Sequence, residues 1–67
     1  MTMPVMNIWG LRLKAGLSQP QLAHAMGVHL MDVIAWEHET YLPKTRQLPL
    51  LARILGCTVD ELFIGED

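Results

Sequence analysis

Apolar residues recur along this chain at three- and four-residue intervals, the period of an α-helix, and they do not alternate as in a strand. In "NIWGLRLKAG" this period places Ile8, Leu11 and Ala15 on one face, with Gly16 as the stop. "LSQPQL" opens a second helix. Ser18 and Gln21 have capping-box spacing, Leu17 and Leu22 have staple spacing, and Pro20 fits the first turn, where its missing N–H is not needed. This helix buries Leu22, Ala23 and Met26 and ends at Gly27. A third helix starts near Leu30 with Asp32 in its first turn, facing the positive dipole end. Val28 and Val33 staple it, and Val33, Trp36 and part of Ile34 form its inner side. "ETYLPK" reads as a loop, because a residue before proline avoids the helical region. "TRQLPLLARILG" is a fourth helix starting near residues 45–47, with Leu48, Leu51, Ala52 and Leu55 inward. In "CTVDELF", Thr58 and Glu61 form a second capping box and Cys57 and Leu62 a further staple, which starts a fifth helix. The pattern predicts an all-α chain, a compact five-helix bundle on one core.

The second and third helices carry a further constraint. A small residue, Ala23, stands where two crossing helices need close approach. Gly27 stands where a tight turn needs positive φ, and Leu22, Met26, Val28, Val33 and Trp36 supply the apolar inner faces. This spacing predicts a helix-turn-helix over about residues 19–38.

At 67 residues the chain is one domain, 1–67, with its core over about 8–63. Hydrophobic residues make up 51% of it, too many for a disordered segment. The formal net charge of −2 argues against strong non-specific attraction to phosphates. The charges are uneven: Asp60, Glu61, Glu66 and Asp67 gather at one end, while Arg12, Lys14, Lys44 and Arg46 lie before them with Asp32, Glu37 and Glu39. One cysteine, Cys57, excludes an internal disulfide and reads as a core residue. No Cys/His pair has zinc-ligand spacing, so no metal or other cofactor is expected. The opening "MTMPVMN" lacks the features of a signal peptide, and no apolar run approaches the roughly 20 residues of a membrane span. A cytoplasmic protein with no membrane partner is the expectation. No nucleophile–base pair, glycine-rich phosphate loop or carboxylate constellation appears, so no enzyme activity is expected.

Taken together, "LRLKAGLSQPQLAHAMGV", "WE" at 36–37, Pro43 and "LLARILGCTVDELF" resemble the Cro/phage-repressor type of helix-turn-helix domain, a lambda-repressor-like, XRE-like fold. The resemblance covers about residues 8–63. It implies a small bacterial or phage transcriptional regulator, commonly dimeric, whose third helix enters the DNA major groove. Carried onto this chain, it puts Gln19 at a phosphate. It puts His29, Leu30, Met31, Ile34, Ala35 and His38 on the base-facing side of helix 30–38, and Lys44 and Arg46 at the backbone. The plainer reading of Gln19 is a solvated helix residue, and of His29 and His38 exposed or capping side chains.

The chain departs from the family at the reading positions. The family commonly carries Ser, Arg, Thr or Gln there and Asn-Gly after "WE", where this chain has "HE" at 38–39. Arg, Lys, Asn and Gln, the side chains that read guanine and adenine bidentately, are absent from residues 28–43. Apolar contact can still read a thymine methyl. Asp32 and Glu39 would face phosphates and weaken binding unless paired. Leu30 with Ile34, and Met31 with Ala35, are each four apart and form an apolar strip. Such a strip also suits a protein partner. Two functions are therefore expected in competition. One is a DNA-binding regulator. The other is a protein-binding regulator, such as an antirepressor or inhibitor, that grips its partner through the same helix. Trp9, Leu13 and Leu50 offer further apolar surface or a homodimer contact.

Overall fold

The computed structural model describes residues 6–63. The expectations for Glu66 and Asp67 and for the opening residues 1–5 lie outside that range. Among the described residues there are five α-helices: α1 (Ile8–Lys14), α2 (Gln19–Met26), α3 (Leu30–His38), α4 (Leu48–Leu55) and α5 (Val59–Leu62). None is long and apolar enough to cross a membrane.

Three of the described helices, α1, α2 and α5, start at side-chain caps. The Asn7 side chain accepts the Gly10 N–H at 3.2 Å and caps α1. Ser18 Oγ accepts the Gln21 N–H, and Gln21 Oε1 accepts the Ser18 N–H in return. Thr58 and Glu61 make the same reciprocal pair ahead of α5. α4 starts later than the expected register: Thr45–Gln47 is a single 3₁₀ turn, and the α-helix begins at Leu48. Pro49 explains the break, since it has no N–H to give to the preceding turn. α1 is shorter than expected. It ends at Lys14, so Ala15 lies at the cap and is exposed rather than facing inward.

The centre of the core takes one fully enclosed side chain from each helix: Ile8, Leu22, Val33, Leu51 and Leu62. Burying each of these stabilises the fold by about 1.5–3 kcal/mol before conformational entropy is counted. Met26, Trp36 and Leu55 close the cluster, and Leu17, Val28 and Cys57 pack against it from the staple positions. The two ends of the described chain meet. Met6 and Phe63 form an isolated antiparallel bridge, and the Asn7 N–H donates to the Leu62 carbonyl at 3.0 Å. A single bridge is too short to leave an alternating pattern in the sequence.

α2 and α3 pack closely, with Ala23 buried on the inner side of α2. Gly27, at φ 70°, turns the chain between them, and the Val28 N–H donates back to the Ala23 carbonyl at 3.0 Å. α3 ends with the same left-handed turn, but Glu39 occupies it, at φ 59°. A side chain there costs about 1 kcal/mol relative to glycine. Its Oε2 accepts the Met6 N–H at 3.4 Å.

Ala23→Leu is expected to overpack the α2–α3 crossing and to lower stability by about 1–3 kcal/mol in urea denaturation. An unchanged midpoint would mean that the crossing has room for a larger residue.

Candidate functional site

The outer side of α3 exposes apolar side chains on a regular element, as α1 also does through Trp9 and Leu13. Val33 and Trp36 hold the inner side against the core, which turns Leu30 and Met31 outward. Met31 is 69% exposed and Leu30 40%. Ile34 and Ala35 are only half-buried, so the expected strip is not flat. With Met31, His38, Thr40 and Tyr41 they line a cleft of about 250 Å³. The difference from the expectation comes from residues 40–41, which share the cleft with α3. His29 and His38 are both exposed, at the two ends of the helix.

Asp32 is held by the protein rather than left to face solvent anions. Its Oδ2 accepts the His29 backbone N–H at 3.0 Å, and its Oδ1 accepts the Tyr41 hydroxyl at 2.6 Å. The Tyr41 hydrogen bond, and then the His29 N–H, hold the Asp32 carboxyl below the usual range. The same bond pushes the Tyr41 phenol up. Sequence reasoning missed Tyr41: it lies in a loop nine residues beyond Asp32, and no local spacing marks that pairing.

Beneath this face lies a charged group whose burial the sequence pattern does not mark. Arg12 is 7% exposed, and its side chain reaches across to Glu37 of α3, whose side chain is 4% exposed. Arg12 Nε donates to Glu37 Oε2 at 2.5 Å, Nη2 donates to Oε1 at 3.3 Å, and Nη1 donates to the Leu17 carbonyl at 2.9 Å. This bidentate fork uses the geometry that suits arginine to a carboxylate. Gln19 Nε2 adds a bond to Glu37 Oε1 at 2.9 Å. Gln19 is thus half-buried and oriented from below rather than simply solvated. The sequence grouped Arg12 with Lys14, Lys44 and Arg46 by charge alone, and the fold separates it from them: its charge is matched inside.

Lys44 and Arg46 are exposed on the segment after α3. Lys44 lines a second small cleft with Asp32, Trp36 and Tyr41, which places it beside the start of α3. Arg46 lies on the following 3₁₀ turn. Cys57 packs partly against the core, and burial pushes its thiol up, keeping it protonated. Among the described residues no group of three or more His, Cys, Asp or Glu side chains could hold a metal ion.

Comparison with known proteins adds two findings. The model of the helix-turn-helix family HTH_3 matches residues 11–62, from within α1 to the end of α5. An uncharacterized HTH-type transcriptional regulator of Archaeoglobus fulgidus is 32% identical over 56 residues, covering 84% of this chain and 80% of that protein.

Two predictions follow from the charged groups. Glu37→Ala is expected to lower stability by about 3–5 kcal/mol, because it strands a buried guanidinium, while Arg12→Met with Glu37→Met recovers most of the loss. Urea denaturation would check both, and a Glu37→Ala midpoint equal to the wild type would place the pair in solvent. The second prediction concerns acid. Asp32 has a depressed pKa in the fold, so its contribution is present above the unfolded-state pKa and is lost as pH falls through the lower folded value. Stability should therefore decline below the ordinary carboxylate range, and Tyr41→Phe should shrink the Asp32 share of that decline. Identical acid profiles for the two proteins would contradict the coupling.

Proposed function

This chain belongs to the helix-turn-helix family, and we propose that it is a DNA-binding transcriptional regulator that lays α3 in the major groove of duplex DNA. The observation that carries this reading is the α2–Gly27–α3 unit. Its inner faces are buried, its turn is in the left-handed conformation, and among the described residues Leu30 and Met31 of α3 are exposed. Its work is binding rather than catalysis, and the cytoplasm is the setting that this reading assigns to it.

In this reading the groups on and beside α3 divide the contacts. His29, Leu30, Met31, Ile34, Ala35 and His38 face the base edges. Lys44 and Arg46 neutralise phosphates on the flank, and Gln19, oriented by Glu37, meets a phosphate at the start of α2. Asp32 reads nothing. Its carboxylate is occupied by Tyr41 and the His29 N–H, which lessens its repulsion of the backbone. A net charge of −2 leaves the domain with little general attraction to DNA. Two copies on a two-fold site would double a small set of contacts, so this reading includes a homodimer on DNA.

A mobility-shift titration against salt tests the reading, and a steep loss of affinity as salt rises is expected. Lys44→Ala and Arg46→Ala should each weaken binding to every sequence about equally and flatten the salt slope by about one. No shift of any duplex at low salt would contradict the reading and leave the apolar side of α3 to a regulatory protein.

A further inference from the structure

The reading side of α3 presents an unusual surface for contact with bases. The major groove offers hydrogen-bonding groups on every base pair and one apolar group, the 5-methyl of thymine, or of cytosine when it is methylated. Residues 28–43 hold no Arg, Lys, Asn or Gln to meet the hydrogen-bonding groups. Two of the polar side chains present, Asp32 and Tyr41, are already bonded to each other at 2.6 Å. Between His29 and His38, which stand at its two ends, what this side offers is shape. Met31 stands at the rim, 69% exposed, while Ile34 and Ala35 are half-buried in the same cleft of about 250 Å³. Tyr41 forms a wall of that cleft, and its hydroxyl is anchored to the first turn of α3. The bond to Asp32 therefore keeps the ring beside the helix without using a group that reads DNA. Lys44, which shares a second cleft with Asp32 and Tyr41, supplies positive charge next to it, as an approaching phosphate backbone requires.

We propose that this cleft receives the 5-methyl group of a pyrimidine in the major groove, so that the protein chooses its DNA site by methyl contact rather than by amide or guanidinium hydrogen bonds. Met31, Ile34 and Ala35 make the contact, and Tyr41 is a positioning residue that holds the wall in place. The proposal rests on the DNA-binding reading above and adds to it the feature of the duplex that is recognised.

The test is selection from random duplex pools with the whole chain. One pool carries ordinary bases, and a second carries 5-methylcytosine in place of cytosine. Winners from the first pool are then remade with deoxyuridine in place of thymidine, which removes the methyl and nothing else. Enrichment of thymine is expected, and each critical methyl removed should weaken binding roughly fourfold, the equivalent of exposing one buried carbon. Met31→Ala, at an exposed position, should bring the thymidine-to-deoxyuridine affinity ratio toward one, and Tyr41→Phe should lower it. In the second pool, thymine alone at the critical position identifies thymine as the ligand. Methylcytosine competing there identifies the methyl on either base, and both results support the proposal. Selected duplexes that bind equally well with deoxyuridine would overturn it while leaving the DNA-binding reading intact. Retention of no duplex at low salt would overturn both.

Discussion

Arg12 and Glu37 bring opposite charges into a nearly dry contact between α1 and α3, and the pose of α3 depends on that contact. Apolar packing makes the bundle compact, but apolar contacts are tolerant of small rotations. A buried fork of hydrogen bonds is not. Arg12 is committed at three donors, two to Glu37 and one to the Leu17 carbonyl just ahead of α2. Glu37 is committed in turn to Gln19 at the start of α2. Three helices are therefore tied to one carboxylate. Removing water from these charges is costly, and only this geometry offsets it. With Val33, Trp36 and Glu37 all held inward, the helical period turns Met31 outward and leaves Leu30 at the flank.

Much of the fold was legible because the signals that set it are local. The capping boxes at Ser18–Gln21 and Thr58–Glu61, the apolar period of each helix, and the Ala23 and Gly27 positions all act within a few residues. What was not legible lies at long separation. Nothing in "LRLK" says that Arg12 will be buried, because its partner is 25 residues away. Tyr41 has the same difficulty, and so does the Met6–Phe63 bridge that closes the ends. Of the candidate site, the apolar character of α3 was readable and its shape was not. Ile34 and Ala35 become the floor of a cleft only when residues 40–41 come alongside. Asp32 looked like a liability from its charge, and two hydrogen bonds change that: a local one from the His29 N–H three residues back, and one from Tyr41 that no local spacing marks.

The charge balance has a functional side. Arg12 is spent on the interior, so the exposed cations nearest α3 in sequence are Lys44 and Arg46. A DNA-binding domain with so few phosphate partners relies less on general attraction and more on the fit of its reading surface. An apolar surface can supply that fit, since each methyl contact is weak but requires close shape matching. Glu39 fits the same pattern of departures. It holds a left-handed turn at φ 59°, where the similar family carries glycine, and it keeps the loop path after α3 at the cost of some strain.

The central claim is that the pair beneath α3 sets its outer side as the surface that meets DNA. Following the backbone amide and methionine methyl signals of the labelled chain by NMR, while a duplex is added at low salt, tests this most directly. The account predicts that the shifts gather on Leu30, Met31, Ile34, Ala35 and His38, with smaller changes at Gln19, Lys44 and Arg46. Shifts gathered instead on Trp9, Leu13 and Leu50, with α3 unmoved, would contradict it.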